Sequence, residues 1–323
     1  MQKTKLILIV LIFGCAGPVW AQFKRPVPTR NAALRYWMAF ADLQDPPADK
    51  ATADLLEKTA AGDTAWDEAK LGTILDKNNA AIQDMQRATK LPECDWGVEY
   101  ELGPAASIAY APRARVLARL NTLYGMRLAA KGDTQKALDT WLAGIRFSQH
   151  LAQGGSLIFS LIAKTALLSN FHALTQAAQS GSLTESQRKE IVSAVRTLPE
   201  TGFDWGQALW YEQDSLDLAE KRVAEAADPA AYYQEFTGER APENFTVPKA
   251  SEVAAFHKTI GAAETELRTP PAQAQDKLKA LQDSVKSLHP FYQALTPSFT
   301  RVNESRVEIQ AARDKLLQGL SSK

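Results

Sequence analysis

The sequence is poor in the residues that mark disulfide scaffolds and metal-thiolate sites. Only two cysteines, Cys15 and Cys94, occur in 323 residues. Cys15 falls inside the leader described below, so one thiol remains. That excludes an intramolecular disulfide framework and a cysteine-based zinc site. The four histidines, His150, His172, His257 and His289, stand apart in the chain, and no HExxH stretch sets two on one helix face. GxSxG, Walker and GxGxxG stretches are missing as well, and with them the local signatures of α/β-hydrolases, P-loop enzymes and dinucleotide binders. No charge sign is in excess: 37 Lys and Arg balance 37 Asp and Glu. A nucleic-acid partner, which needs a basic surplus to neutralise phosphates, is therefore not expected. Alternating β-branched runs bounded by turn residues are also lacking, which argues against a sheet.

What is present is an ordinary globular composition, 45% apolar and 23% charged, in a chain long enough to bury a sizeable core. Residues 1–21 read as an export signal. Lys3 and Lys5 give a positive start, Leu6 to Phe13 is an unbroken apolar run, and Val19-Trp20-Ala21 offers a cleavage site ahead of Gln22. The run is too short for a bilayer, which takes about 20 apolar residues. A rival processing route uses Cys15, which follows Ile12-Phe13-Gly14 and would then carry a lipid. The expected location is outside the cytoplasm, periplasmic or extracellular, with lipid anchoring through Cys15 as the minor alternative. No transmembrane helix is expected in the mature chain. Leu157 to Leu168, the most apolar internal run, is interrupted by Ser160, Lys164 and Thr165 and reads as a buried helix.

Ala, Leu, Gln, Glu, Lys and Arg dominate, with Pro and Gly falling between periodic stretches. This predicts an all-α fold, with helices near 31–43, 50–60, 66–89 (broken near Asn78-Asn79), 112–131, 134–153, 156–179, 184–199 and 205–227. Three more follow near 251–268, 272–288 and 298–320. Thr184 and Gln187 form a capping box. Residues 229–250, with Pro242, Asn244 and Pro248, read as an irregular linker between a helical-hairpin domain, 22–228, and a C-terminal helical segment, 251–323. Arg113, Arg115, Arg119 and Arg127 make one helix basic, with Asp133 and Asp139 of the next helix as expected partners. Cys94 reads as a small buried hydrophobe, and His172 as a satisfied core histidine.

Residues 119–150 resemble one tetratricopeptide hairpin. Gly125, Gly132, Ala137 and Gly144 fall on its small positions and Trp141 on its aromatic one, while Asn121 stands where Trp is usual. Stacked antiparallel hairpins in a tetratricopeptide-like right-handed array, with a C-terminal helical tail, are the expected architecture. A second pattern is an echo: Leu91-Pro92-Glu93-Cys94-Asp95-Trp96-Gly97 against Leu198-Pro199-Glu200-Thr201-Gly202-Phe203-Asp204-Trp205-Gly206. Its plain reading is a helix stop with an aromatic plug. Its sharper reading is a paired rim of Asp and Trp around a groove.

Asn31-Ala32-Ala33 ahead of Tyr36 and Trp37, Cys94-Asp95-Trp96-Gly97, Gly103-Pro104, the Arg-bearing helix and Gly132-Asp133 with Ala137 together resemble a family of exported all-helical bacterial proteins with tetratricopeptide-like hairpins. The resemblance covers roughly residues 30 to 215. It implies fold and export, and carries no active site. The expected function is a non-catalytic binding or scaffolding protein of the cell envelope with an envelope or periplasmic protein partner. Candidate binding residues are Asp95, Trp96, Tyr124, Trp141, Asp204 and Trp205, with Trp96 and Trp205 as exposed anchors. No catalytic residue, metal ligand or cofactor is expected. The alternative is a hydrolase or lyase acting on envelope glycans through carboxylates such as Asp95, Glu99, Asp204, Glu212 and Asp214.

Overall fold

The computed structural model describes residues 29–47 and 49–321. The leader, its cleavage site and Cys15 lie outside them. The chain divides into two units at Arg30 and Asn31, and everything below belongs to the second. Its helices are α1 (Ala32–Asp42), α2 (Lys50–Ala61), α3 (Glu68–Lys77), α4 (Asn79–Ala88), α5 (Ala111–Ala130), α6 (Thr134–Ala152), α7 (Leu157–Gln179), α8 (Glu185–Arg196) and α9 (Trp205–Glu225). The series continues with α10 (Pro229–Thr237), α11 (Ala250–Glu266), α12 (Pro271–Val285), α13 (Pro290–Leu295) and α14 (Phe299–Ser321), and one 3-10 turn, Tyr100–Ala105, precedes α5. Among the described residues the one β-type pairing is an isolated bridge between Asn31 and Glu93. The fold is all-α, as the composition predicts.

Local chemistry sets the boundaries. Asn31 caps α1, Asp49 caps α2 and Asp67 caps α3, each side chain accepting from a first-turn N–H. The Thr184–Gln187 capping box forms in both directions, at 3.3 and 2.9 Å. The break near Asn78 is real: Asn78 is buried and its side chain accepts from Gln44 N while donating to Ile74 O. Two short helices, α10 and α13, sit where a linker and a helix end were expected. Pro229 and Pro290 occupy first-turn positions, where a missing N–H costs nothing, and Asp228 and His289 cap them.

Helices α5, α6 and α7 form the centre. A three-residue turn joins α5 to α6, so the two run antiparallel, with Gly132 in the left-handed region (φ 81°). Small residues on α5 and α6 sit at close approaches to neighbouring side chains. A Cβ on Gly125 would lie 2.2 Å from Trp141 Nε1, and one on Gly144 would lie 2.5 Å from the Asn170 amide. Trp141 is buried in that notch and donates to Thr122 O at 3.2 Å. Helix α7 is long and apolar enough to cross a membrane, but 67% of its apolar window is buried among its neighbours. It is packed by α5, α6, α9 and α14.

The expected boundary at 229–250 does not divide residues 31–321. Helix α14 turns its Val302, Ile309, Leu316 and Leu320 inward and runs back along α7 and α8. Lys164 pairs with Glu308, and Arg188 donates to the Gly319 and Leu320 carbonyls. Burying that apolar stripe against α7 is worth more than leaving the segment as a free tail. The basic face of α5 also finds other partners. Arg127 pairs with Glu68 and Asp76 of α3, and Arg113 donates to the Phe40 and Leu43 carbonyls. Asp133 instead pairs with Lys136 and caps α6.

Candidate functional site

Six side chains were candidates from sequence. The structure corrects the expectation that Trp96 and Trp205 are exposed anchors. Trp96 is 5% exposed and Trp205 1% exposed. Trp96 lies in an aromatic stack, 4.3 Å from Tyr110 and 5.4 Å from Tyr36, and donates to His150 O at 2.7 Å. Trp205 donates to Thr201 O at 2.9 Å. Each ring plugs the turn after a helix, because a large apolar surface with one N–H is most stable where the ring is covered and the N–H has a carbonyl. Among the described tryptophans the most exposed are Trp37 and Trp210, each 43% exposed, with Trp66 partly buried.

The two aspartates of the echo also have structural work. Asp95 Oδ1 accepts from Gly97 N at 2.9 Å, and Asp204 caps α9 and pairs with Arg268 at 3.1 Å. Glu212 accepts from Leu157 N at 2.9 Å at the start of α7, and burial raises its pKa. Cys94 is half-buried, and burial pushes its thiol up to about 12, which keeps it protonated and unreactive. His172 is only half-buried on α7, so it is not the core residue expected.

Tyr124 and Asp204 do share a feature, although they lie far apart in sequence. Three cavities, of about 350, 530 and 360 Å³, follow one another along α6. The first two share Thr89, Leu142, Arg146 and Glu190, and the second and third share Gln149 and Gln153, so they form one groove. Its floor is a single face of α6 and its C-terminal turn: Lys136, Asp139, Ala143, Arg146, His150 and Gln153, at steps of three and four residues. At 1.5 Å per residue that face extends about 26 Å. Tyr124 lines one end, beside Gln83 and Gln86 of α4. Asp204 lines the other, beside Gln207 and Tyr211 of α9. Helix α8 forms a wall with Glu190, Ser193 and Thr197. Trp141 borders a separate cavity with Trp66 and Met126, while Trp205 and Arg306 border one that shares Pro199, Phe203 and Asp204 with the Asp204 end of the groove. Asp95 and Trp96 border none of these.

Under the groove floor, the Tyr36 hydroxyl lies 2.7 Å from His150 Nδ1. Burial lowers the His150 pKa to about 4, so the ring is neutral at physiological pH.

A second arrangement was not visible in sequence. Asp217 and Glu220 of α9 and His257 of α11 bring one ligand atom each within 4.8 Å of one another. The i,i+3 spacing of the acids could be read from the chain. His257 lies on another helix, and only the packing of α11 against α9 delivers it.

No protein-family model, curated protein or solved structure matches this chain. The functional reading therefore rests on its own residues.

Proposed function

We propose that this is an exported, non-catalytic binding or scaffolding protein of the cell envelope, built on stacked helical hairpins, that holds an extended segment of a partner protein along α6. The observation that carries the reading is the alignment of three cavities on one helix face. A groove of about 26 Å matches roughly eight residues of extended chain at about 3.3 Å each. Its lining suits a peptide. Gln153 and Gln207 bring amides that both donate and accept, as a partner backbone requires, while Gln83, Gln86 and Gln149 already donate to Tyr124, Asn121 and the Gly202 carbonyl. Arg146 and Glu190 contribute one charge of each sign. Export rests on the Lys3, Lys5 and Leu6–Phe13 leader. The competing glycan hydrolase or lyase needs carboxylates beside the aromatic turns, and Asp95, Asp204 and Glu212 already accept from backbone N–H groups.

Site-specific photocrosslinking in the native envelope tests this. A photoreactive side chain placed at Arg146 or Gln153 is expected to give one adduct, lost when Gln149→Trp fills the groove. The same probe at Lys279 of α12 is the control. Equal adducts at Lys279, or none from the groove positions, would refute the proposal.

A further inference from the structure

The cluster on α9 and α11 lies outside the groove and has a geometry of its own. His257 Nε2 stands 3.3 Å from Asp217 Oδ1 and 3.9 Å from Glu220 Oε2. Its side chains are partly exposed, 36% for His257, 42% for Asp217 and 23% for Glu220, and two features mark the cluster. First, the facing atoms, His257 Nε2 and Asp217 Oδ1, are both removed from solvent and neither makes a hydrogen bond. Second, two of the three groups have further polar neighbours. The Gln213 side-chain amide nitrogen lies 3.4 Å from His257 Nδ1. The Tyr292 hydroxyl donates to Glu220 Oε2 at 2.6 Å. Tyr292 is itself fully buried and stacked on Phe256 at 4.2 Å, and Phe256 meets the His257 ring edge-on at 5.6 Å. A hydrogen bond to a carboxylate restricts how it can turn toward a cation.

We propose that Asp217, Glu220 and His257 form a three-ligand site for a divalent transition-metal cation of the zinc type, with a fourth position open to water or to a donor from a bound partner. Tetrahedral zinc with ligands at 2.0–2.1 Å places neighbouring ligand atoms about 3.3 Å apart. The His257–Asp217 pair already has that separation, and Glu220 closes by rotating its side chain. One imidazole with two carboxylates favours zinc and its neighbours over calcium or magnesium, which take oxygen ligands only. The site also concentrates negative charge. A dication offsets the two carboxylates of Asp217 and Glu220.

The test is calorimetric titration of the full-length folded protein with zinc chloride, followed by zinc-edge X-ray absorption. Wild type is expected to bind one equivalent, with nitrogen and oxygen neighbours near 2.0–2.1 Å, one imidazole and no sulfur. His257→Gln and Asp217→Asn are expected to abolish saturable binding, and Tyr292→Phe to weaken it about 10- to 100-fold. His172→Gln, outside the cluster, is expected to bind as wild type does. No saturable uptake by wild type, or equal uptake by His257→Gln, would overturn the proposal. If the variants fail to fold, the absorption spectrum of wild type decides: a shell without imidazole, or with sulfur, refutes the site.

Discussion

Acid should weaken this protein through one buried histidine, and the size of the effect can be worked out. His150 is 9% exposed, with Tyr36 at its Nδ1 and Trp96 on its carbonyl. Burial depresses its pKa from 6.5 to about 4. The unfolded chain therefore takes up a proton as pH falls through about 6.5, while the native ring stays neutral down to about 4. The contribution is fully present above pH 6.5 and is lost as pH falls toward 4. At about 1.4 kcal/mol per unit, the loss between pH 7.5 and 4.5 is about 2.5 kcal/mol. The comparison variant is His150→Asn, whose Oδ1 can occupy the place of Nδ1 and does not titrate. It should be less stable than wild type at pH 7.5, because it leaves a void. Urea unfolding followed by circular dichroism at both pH values gives the comparison. Wild type is expected to lose about 2.5 kcal/mol more than His150→Asn across the window. Carboxylates common to both proteins cancel in that difference. Equal losses would refute the reasoning.

The close α5–α6 approach makes Gly125→Ala destabilising. Alanine favours a helix by about 1 kcal/mol, but its Cβ would meet Trp141, and overpacking of this kind costs about 1–3 kcal/mol. Thermal unfolding should show a lower Tm, and an unchanged or higher Tm would show that the contact is not tight. Trp205→Ala is expected to cost about 3–5 kcal/mol, because a fully buried indole and its bond to Thr201 are lost. In a denaturation series its midpoint should fall well below that of Trp210→Ala, whose ring is 43% exposed. Similar midpoints would contradict the plug role of Trp205.

Much of the fold was legible because its determinants are local. Many helix starts carry an oxygen-bearing cap and some stops carry a glycine, visible in single residues such as Asp67, Thr184 and Gly132. The expected helix bounds accordingly lie within a few residues of those found. The helices read as loops, α10 and α13, are short and begin at proline, where one residue type serves as breaker and as first-turn residue. The close α5–α6 approach was legible too, since Gly125 and Trp141 lie on consecutive helices joined by a short turn.

The chain by itself therefore determined the all-α class, the helix register and the small-residue notch that seats Trp141. The side of the protein on which each residue appears was decided by tertiary packing. Trp96 and Trp37 are both aromatic residues near α1, yet one is buried and the other meets solvent. Tyr124 and Asp204 share a groove because α6 lies between their helices. His257 reaches Asp217 because α11 packs on α9. Caps and turns act over three or four residues, so their energies can be read along the chain. Burial and the meeting of distant side chains depend on which helix faces the packing of the whole core leaves together.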